Sequence, residues 1–162
     1  MKTSCNMASL SFIAQLQTIE PSDTGPWSAN QRHYPCSLLL TDGTTIERAI
    51  CVEDHRGFRG DYWIHPDDVA SIKKSPQRMP AQLASKLYVA GESGMGYEIF
   101  KMKMRSGEEF VFVTGNVVDF PDLPSGFTSA DIADVLPHQG REESKKGYRG
   151  RASFRWCFYV SK

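Results

Sequence analysis

The side chains best equipped for chemistry fall in two stretches. The first is Arg56-Gly57-Phe58-Arg59-Gly60-Asp61-Tyr62-Trp63-Ile64, which sets Phe58, Tyr62 and Trp63 beside two arginines. Gly57 and Gly60 mark a loop. Tyr, Trp and Arg dominate binding hot spots, because each combines a large contact area with a polar end. Aromatic loops of a small β-domain can line the groove that reads an extended peptide. Arg56, Phe58, Arg59, Tyr62 and Trp63 are therefore predicted to contact a protein partner. The simpler reading has Trp63 and Ile64 starting a strand and packing inward.

The second stretch is the C-terminal segment. Between Glu108 and Glu143 there are eight carboxylates and one cation, Arg141, whereas Ser144 to Lys162 holds six cations and no carboxylate. Tyr148, Phe154, Trp156, Phe158 and Tyr159 interleave with those cations. Arg149, Arg151, Arg155 and Trp156 extend the predicted protein-binding surface. The same mixture suits RNA or single-stranded DNA, where cations meet phosphates and rings stack on bases. It also suits an edge strand with a solvated loop, whose charges are satisfied within one chain or across a homodimer.

Catalytic groups are not expected. Cys51 and His55 are four apart with Asp54 adjacent, but a nucleophile and its base must meet in space, which this spacing across a strand end does not provide. His33, His65 and His138 lack the paired spacing of metal ligands, so no metal is predicted. Asp67 and Asp68 do not read as an acid–base pair, because Asp68 has a counterpart at Asp131 that suggests a capping role before the turn. Gly91, Gly94 and Gly96 precede a strand rather than a helix, so they do not form a phosphate loop, and no cofactor is predicted.

These stretches must be positioned by β-structure. Phe100, Met102 and Met104 alternate with Lys101, Lys103 and Arg105, and the period of two puts apolar and cationic sets on opposite faces. Ser106-Gly107 supplies a tight turn. Phe110 to Val113 is apolar at every position, so both of its faces should be covered. An earlier hairpin runs from Cys36 through Thr41-Asp42-Gly43-Thr44 to Val52, and Gly43 lies 64 residues before Gly107. Asp68-Val69-Ala70-Ser71-Ile72 likewise aligns with Asp131-Ile132-Ala133-Asp134-Val135 at a spacing of 63. Two correspondences in the same order predict an internal duplication.

The expected architecture is mainly β, with two tandem units and a short linking helix. Residues 1–34 are a partly ordered N-terminal segment. Residues 35–78 form the first unit, to which 9–19 adds a strand unless it is a helix. Residues 79–96 are a linker whose helix begins near Pro80 and pairs Leu83 with Leu87. Residues 97–162 form the second unit, with Ala152 to Val160 as a closing strand. The order of strand, tight turn, strand, excursion, short turn and strand over Pro35 to Val160 resembles an SH3-like small barrel. That resemblance lies in the fold and implies no activity.

Composition sets outer bounds. Nineteen cationic side chains balance nineteen carboxylates, so the net charge points neither to nucleic acid nor to a membrane surface. No run approaches the ~20 apolar residues of a membrane span, and no secretory leader is evident, so a cytoplasmic location is expected, with export by a specialised secretion system left open. Cys5, Cys36, Cys51 and Cys157 form no paired motif and are expected to be reduced thiols. The functional expectation is a non-enzymatic module that binds a protein partner. The alternatives are a nucleic-acid binder and a small-ligand protein or enzyme with its site between the two units.

Overall fold

The computed structural model describes residues 7–22, 32–53 and 63–161. The chain divides into two compact units. The first comprises Met1–Ser22, Asn30–Pro76 and Phe154–Lys162, and the second Asp23–Ala29 and Gln77–Ser153.

The first unit begins with α1 (Leu10–Leu16), which settles the choice between helix and strand. Ser9 Oγ accepts the Phe12 N–H at 3.0 Å and caps the helix, and Phe12 and Leu16, one turn apart, are both buried. The strands are β1 (His33–Leu40), β2 (Thr45–Glu53) and β3 (Val69–Lys73), and the C-terminal β7 (Arg155–Tyr159) joins the same sheet. Their order is β3-β1-β2-β7, with β1 antiparallel to both neighbours and β7 parallel to β2. Phe12 and Leu16 pack with Cys36, Leu38, Ala49, Cys51, Ile72, Cys157 and Tyr159 in one apolar core. Gln15 reaches from the helix to accept the Ile72 N–H at 3.0 Å, satisfying a donor on β3.

The second unit holds α2 (Ala81–Ala90), β4 (Glu98–Met104), β5 (Glu109–Thr114) and β6 (Ile132–Pro137). The sheet order is β5-β4-β6, both pairings antiparallel. Leu87 and Ala84 of α2 pack with Phe100, Met102, Phe112, Ile132 and Val135. The outer face of β5 is covered too, as its unbroken apolar run requires: Val111 packs against Gly140, and Arg149 exchanges backbone hydrogen bonds with Val111 and Val113.

Neither sheet closes into a barrel, which corrects the SH3-like expectation. Closure needs a continuous ring of tilted, paired strands. Here three or four strands leave one apolar face open, and a helix covers it. The closing strand also departs from the expected boundaries, because its partner is β2 of the first unit.

The two units repeat one hydrogen-bonding scheme. Leu40 N–H donates to Thr44 O and Gly43 N–H to Leu40 O, as Met104 N–H donates to Glu108 O and Gly107 N–H to Met104 O. Thr41 N–H reaches Asp68 O at 2.8 Å, and Arg105 N–H reaches Asp131 O at 2.7 Å. The pairing of the central strand with the third strand shifts register at Leu39/Leu40 in one unit and at Lys103/Met104 in the other. Gly43 and Gly107 have φ of +88° and +94°, with nothing within 4 Å of an added Cβ. Gly43→Ala and Gly107→Ala should therefore each cost about 1–2 kcal/mol through backbone strain alone. Chemical denaturation of the two variants checks this, and unequal losses would show that the turns are not equivalent. No helix among the described residues is long and apolar enough to cross a membrane.

Candidate functional site

The alternation of β7 sorts its side chains. Cys157 and Tyr159 enter the core, while Phe154, Trp156 and Phe158 share the opposite face and remain partly exposed. Trp63 meets Phe158 edge-on at 4.6 Å between ring centroids, Phe158 stacks on Trp156 at 5.5 Å and 21°, and Phe154 meets Trp156 edge-on at 5.0 Å. These are the separations at which ring pairs attract. Four rings thus form one continuous row in the first unit. The outer edge of β7 is occupied at its middle, where Ile64 N–H donates to Trp156 O at 2.9 Å.

Of the residues singled out in the sequence, Trp63 and Trp156 lie in this row. Arg155 is exposed at the start of β7, with the parity of Cys157 rather than of the rings. Arg56, Phe58, Arg59 and Tyr62 lie outside the described residues. Arg149 and Arg151 belong to the second unit. Arg149 is held by Asp122, with Nε donating to Asp122 O at 2.7 Å and a 3.5 Å ion pair to its carboxylate. Lys146 and Lys101 both pair with Glu143, and Lys101 also with Glu109. Part of the charge segregation seen in the sequence is thus neutralised within one unit.

Of the catalytic candidates Cys51, Asp54 and His55, only Cys51 lies among the described residues. Cys51 is fully buried, its sulfur 3.7 Å from that of Cys36, and both Cys36 and Cys157 are buried with it. Contacts with the two neighbouring thiols, followed by burial, hold the Cys51 thiol well above its usual range, which suits an inert core group. Asp54 and His55 lie outside the described residues. No group of three or more His, Cys, Asp or Glu among the described residues could hold a metal ion.

Two polar clusters of the second unit escaped the sequence reading. Ser93 Oγ lies 2.8 Å from His138 Nδ1, and His138 Nε2 lies 3.1 Å from Ala90 O at the end of α2. Ser93 Oγ also accepts the Ile99 N–H at 2.9 Å. With every polar atom of the pair engaged, it clamps the 91–97 turn to β4 and α2. His138 adopts φ of +63°, the left-handed region, where strain persists only if neighbours enforce it.

The other cluster is buried. Asp119 is fully enclosed; Tyr88 Oη donates to its Oδ2 at 2.6 Å, and Arg78 Nε lies 3.9 Å from its Oδ1. The same Tyr88 oxygen accepts the Val118 N–H at 3.1 Å, and Asp119 O accepts the Met79 N–H. Burial, then the Asp119 charge, raises the Tyr88 hydroxyl well above its usual range and keeps it a donor. Glu98, 5% exposed, lies nearby; burial first, then the charges of Glu92 and Asp119, push its carboxyl up to about 8. The available cue was parity, since Glu98 occupies the same face of β4 as Phe100, Met102 and Met104.

Comparison with known protein families, with curated proteins and with solved structures finds no match for this chain.

Proposed function

We propose that this protein is a non-enzymatic binding module that grips a partner protein through the ring row of its first unit. The observation that carries the reading is the continuous contact of Trp63, Phe158, Trp156 and Phe154 on one partly exposed face. Large aromatics that keep part of their surface in water are the usual anchors of protein recognition. Because Ile64 already occupies the middle of the β7 edge, side-chain capture fits better than addition of a further strand. Arg155, exposed at the start of β7 on the face opposite the rings, makes no ion pair among the described residues and can meet a partner only around the strand's end. The partner is accordingly a protein segment with apolar residues for the rings and a carboxylate for Arg155 at the start of the strand.

The test is an array of extended peptides in which apolar residues alternate with Asp or Glu. Binding is read by tryptophan emission, and folding by far-ultraviolet circular dichroism. A subset should bind, with affinity falling roughly 30-fold in Trp156→Ala, a hot-spot loss of about 2 kcal/mol, and only a few-fold in Arg155→Glu. No binding to any peptide overturns the reading. Unfolding of Trp156→Ala would assign the ring to the core and overturn the site. Salt-sensitive binding of single-stranded oligonucleotides in place of peptides would transfer the stacked rings to the nucleic-acid reading.

We infer further that the two units are copies of one ancestral module. The matched turn, third-strand contact and register shift support this, together with the common element order of helix, hairpin, short 3₁₀ turn and strand.

A further inference from the structure

We propose that Glu98 is a proton-operated latch: its neutral carboxyl lets the 91–97 turn close over the end of β4, and loss of the proton drives that turn away. The argument rests on which elements converge there. Glu98 opens β4 on the face turned toward the core, is 5% exposed, and receives no hydrogen bond to its carboxyl from any described residue. Glu92 faces it from the preceding turn, Asp119 from the chain beyond β5, and Tyr88 stands alongside on α2. On β5 the residue opposite is the neutral Thr114, and the pairing of β6 with β4 begins only at Phe100. Arg78 makes its ion pair with Asp119. An ionised Glu98 would therefore be a buried charge with two like charges near it, the enclosed Asp119 and the exposed Glu92.

The turn gives way rather than Asp119. Asp119 is fixed by Tyr88 and Arg78 and is fully enclosed. Glu92 is exposed, and Gly91 and Gly96 on either side of it have φ of +77° and +78°, so the turn holds two residues tolerant of backbone rotation. Glu92 holds the turn in its closed form by accepting the Gly96 N–H at 3.2 Å. The Asn116 amide, oriented with its nitrogen inward, donates to Glu92 at 3.2 Å and to Gly96 O at 3.3 Å. The folded carboxyl titrates near 8, above the ordinary value of 4.5. Closure is thus fully favoured at low pH and is lost as pH rises through about 8.

The experiment is amide hydrogen exchange on the full chain from pH 6 to 10, corrected for the intrinsic base-catalysed rate. Protection across 91–99 should fall as pH rises from 6 and level off above about 8. Glu98→Gln should abolish the transition, and Glu92→Gln, by removing a like charge, should move it to lower pH. A flat profile in the wild type, or an unchanged transition in Glu98→Gln, would overturn the latch. Should Glu98→Gln fail to fold, carbon-13 titration of the Glu98 carboxyl in the wild type decides the matter. A midpoint at the ordinary glutamate value rejects the proposal, and one near 8 with concurrent loss of protection supports it.

Discussion

Asp119→Ala is expected to destabilise the second unit by about 3–5 kcal/mol, the usual result of deleting one partner of a buried ion pair. The loss has three sources. The Tyr88 hydroxyl forfeits the acceptor it holds at 2.6 Å, Arg78 keeps its charge in a side chain only 10% exposed, and the vacated volume lies at a fully enclosed position. Tyr88→Phe should cost less, about 1–3 kcal/mol, because it removes the hydrogen bonds to the Asp119 carboxylate and from the Val118 N–H but leaves the apolar ring in place. Met79, Met102 and Met104 are buried in this unit, so their methyl resonances under increasing urea report its unfolding directly. A midpoint for Asp119→Ala close to that of the wild type would mean that the buried pair contributes little.

Phe100→Ala is expected to cost a similar 3–5 kcal/mol by a different route. Phe100 is fully buried on the central strand and stacks on Phe112 with ring centroids 5.4 Å apart and planes within 7°. Its removal opens a cavity beside Phe112 in the core cluster that also holds Met102 and Met104, and methionine can fold into part of such a space. Phe100→Leu should therefore recover more than half of the loss. The same methyl-detected urea titration checks both variants, and an alanine variant as stable as the leucine one would refute the cavity account.

How much of this was legible follows from the range of each interaction. The alternation of Phe100, Met102 and Met104 with lysines fixes the faces of β4 because strand geometry is local, and the turns at Gly43 and Gly107 declare themselves through their need for positive φ. Residues 9–19 stayed ambiguous because seven helical residues carry little periodic signal; the cap made by Ser9 decides them, and that contact exists only once the helix forms. Barrel closure was misjudged because whether a strand finds another strand or a helix across its apolar face depends on distant residues. The cluster of Tyr88, Glu98 and Asp119 comes from three separate elements, so no motif could announce it. A carboxyl at a core-parity position of β4, and another inside Val117-Val118-Asp119-Phe120, were the traces it left. The ring row was half legible: Trp156 and Trp63 stood out by type, but not that Phe158 would join them.

The parallel pairing of β7 with β2 bears on how the chain is made. During synthesis the ribosome releases β1, β2 and β3 long before the strand that finishes their sheet, and a loop of about a hundred residues must then close to bring Arg155 beside Ala49. The nascent first unit waits with one flank of β2 unfilled while the second unit emerges whole. Completion of its sheet is a late event, set by the arrival of β7 rather than by the order in which β1, β2 and β3 are read.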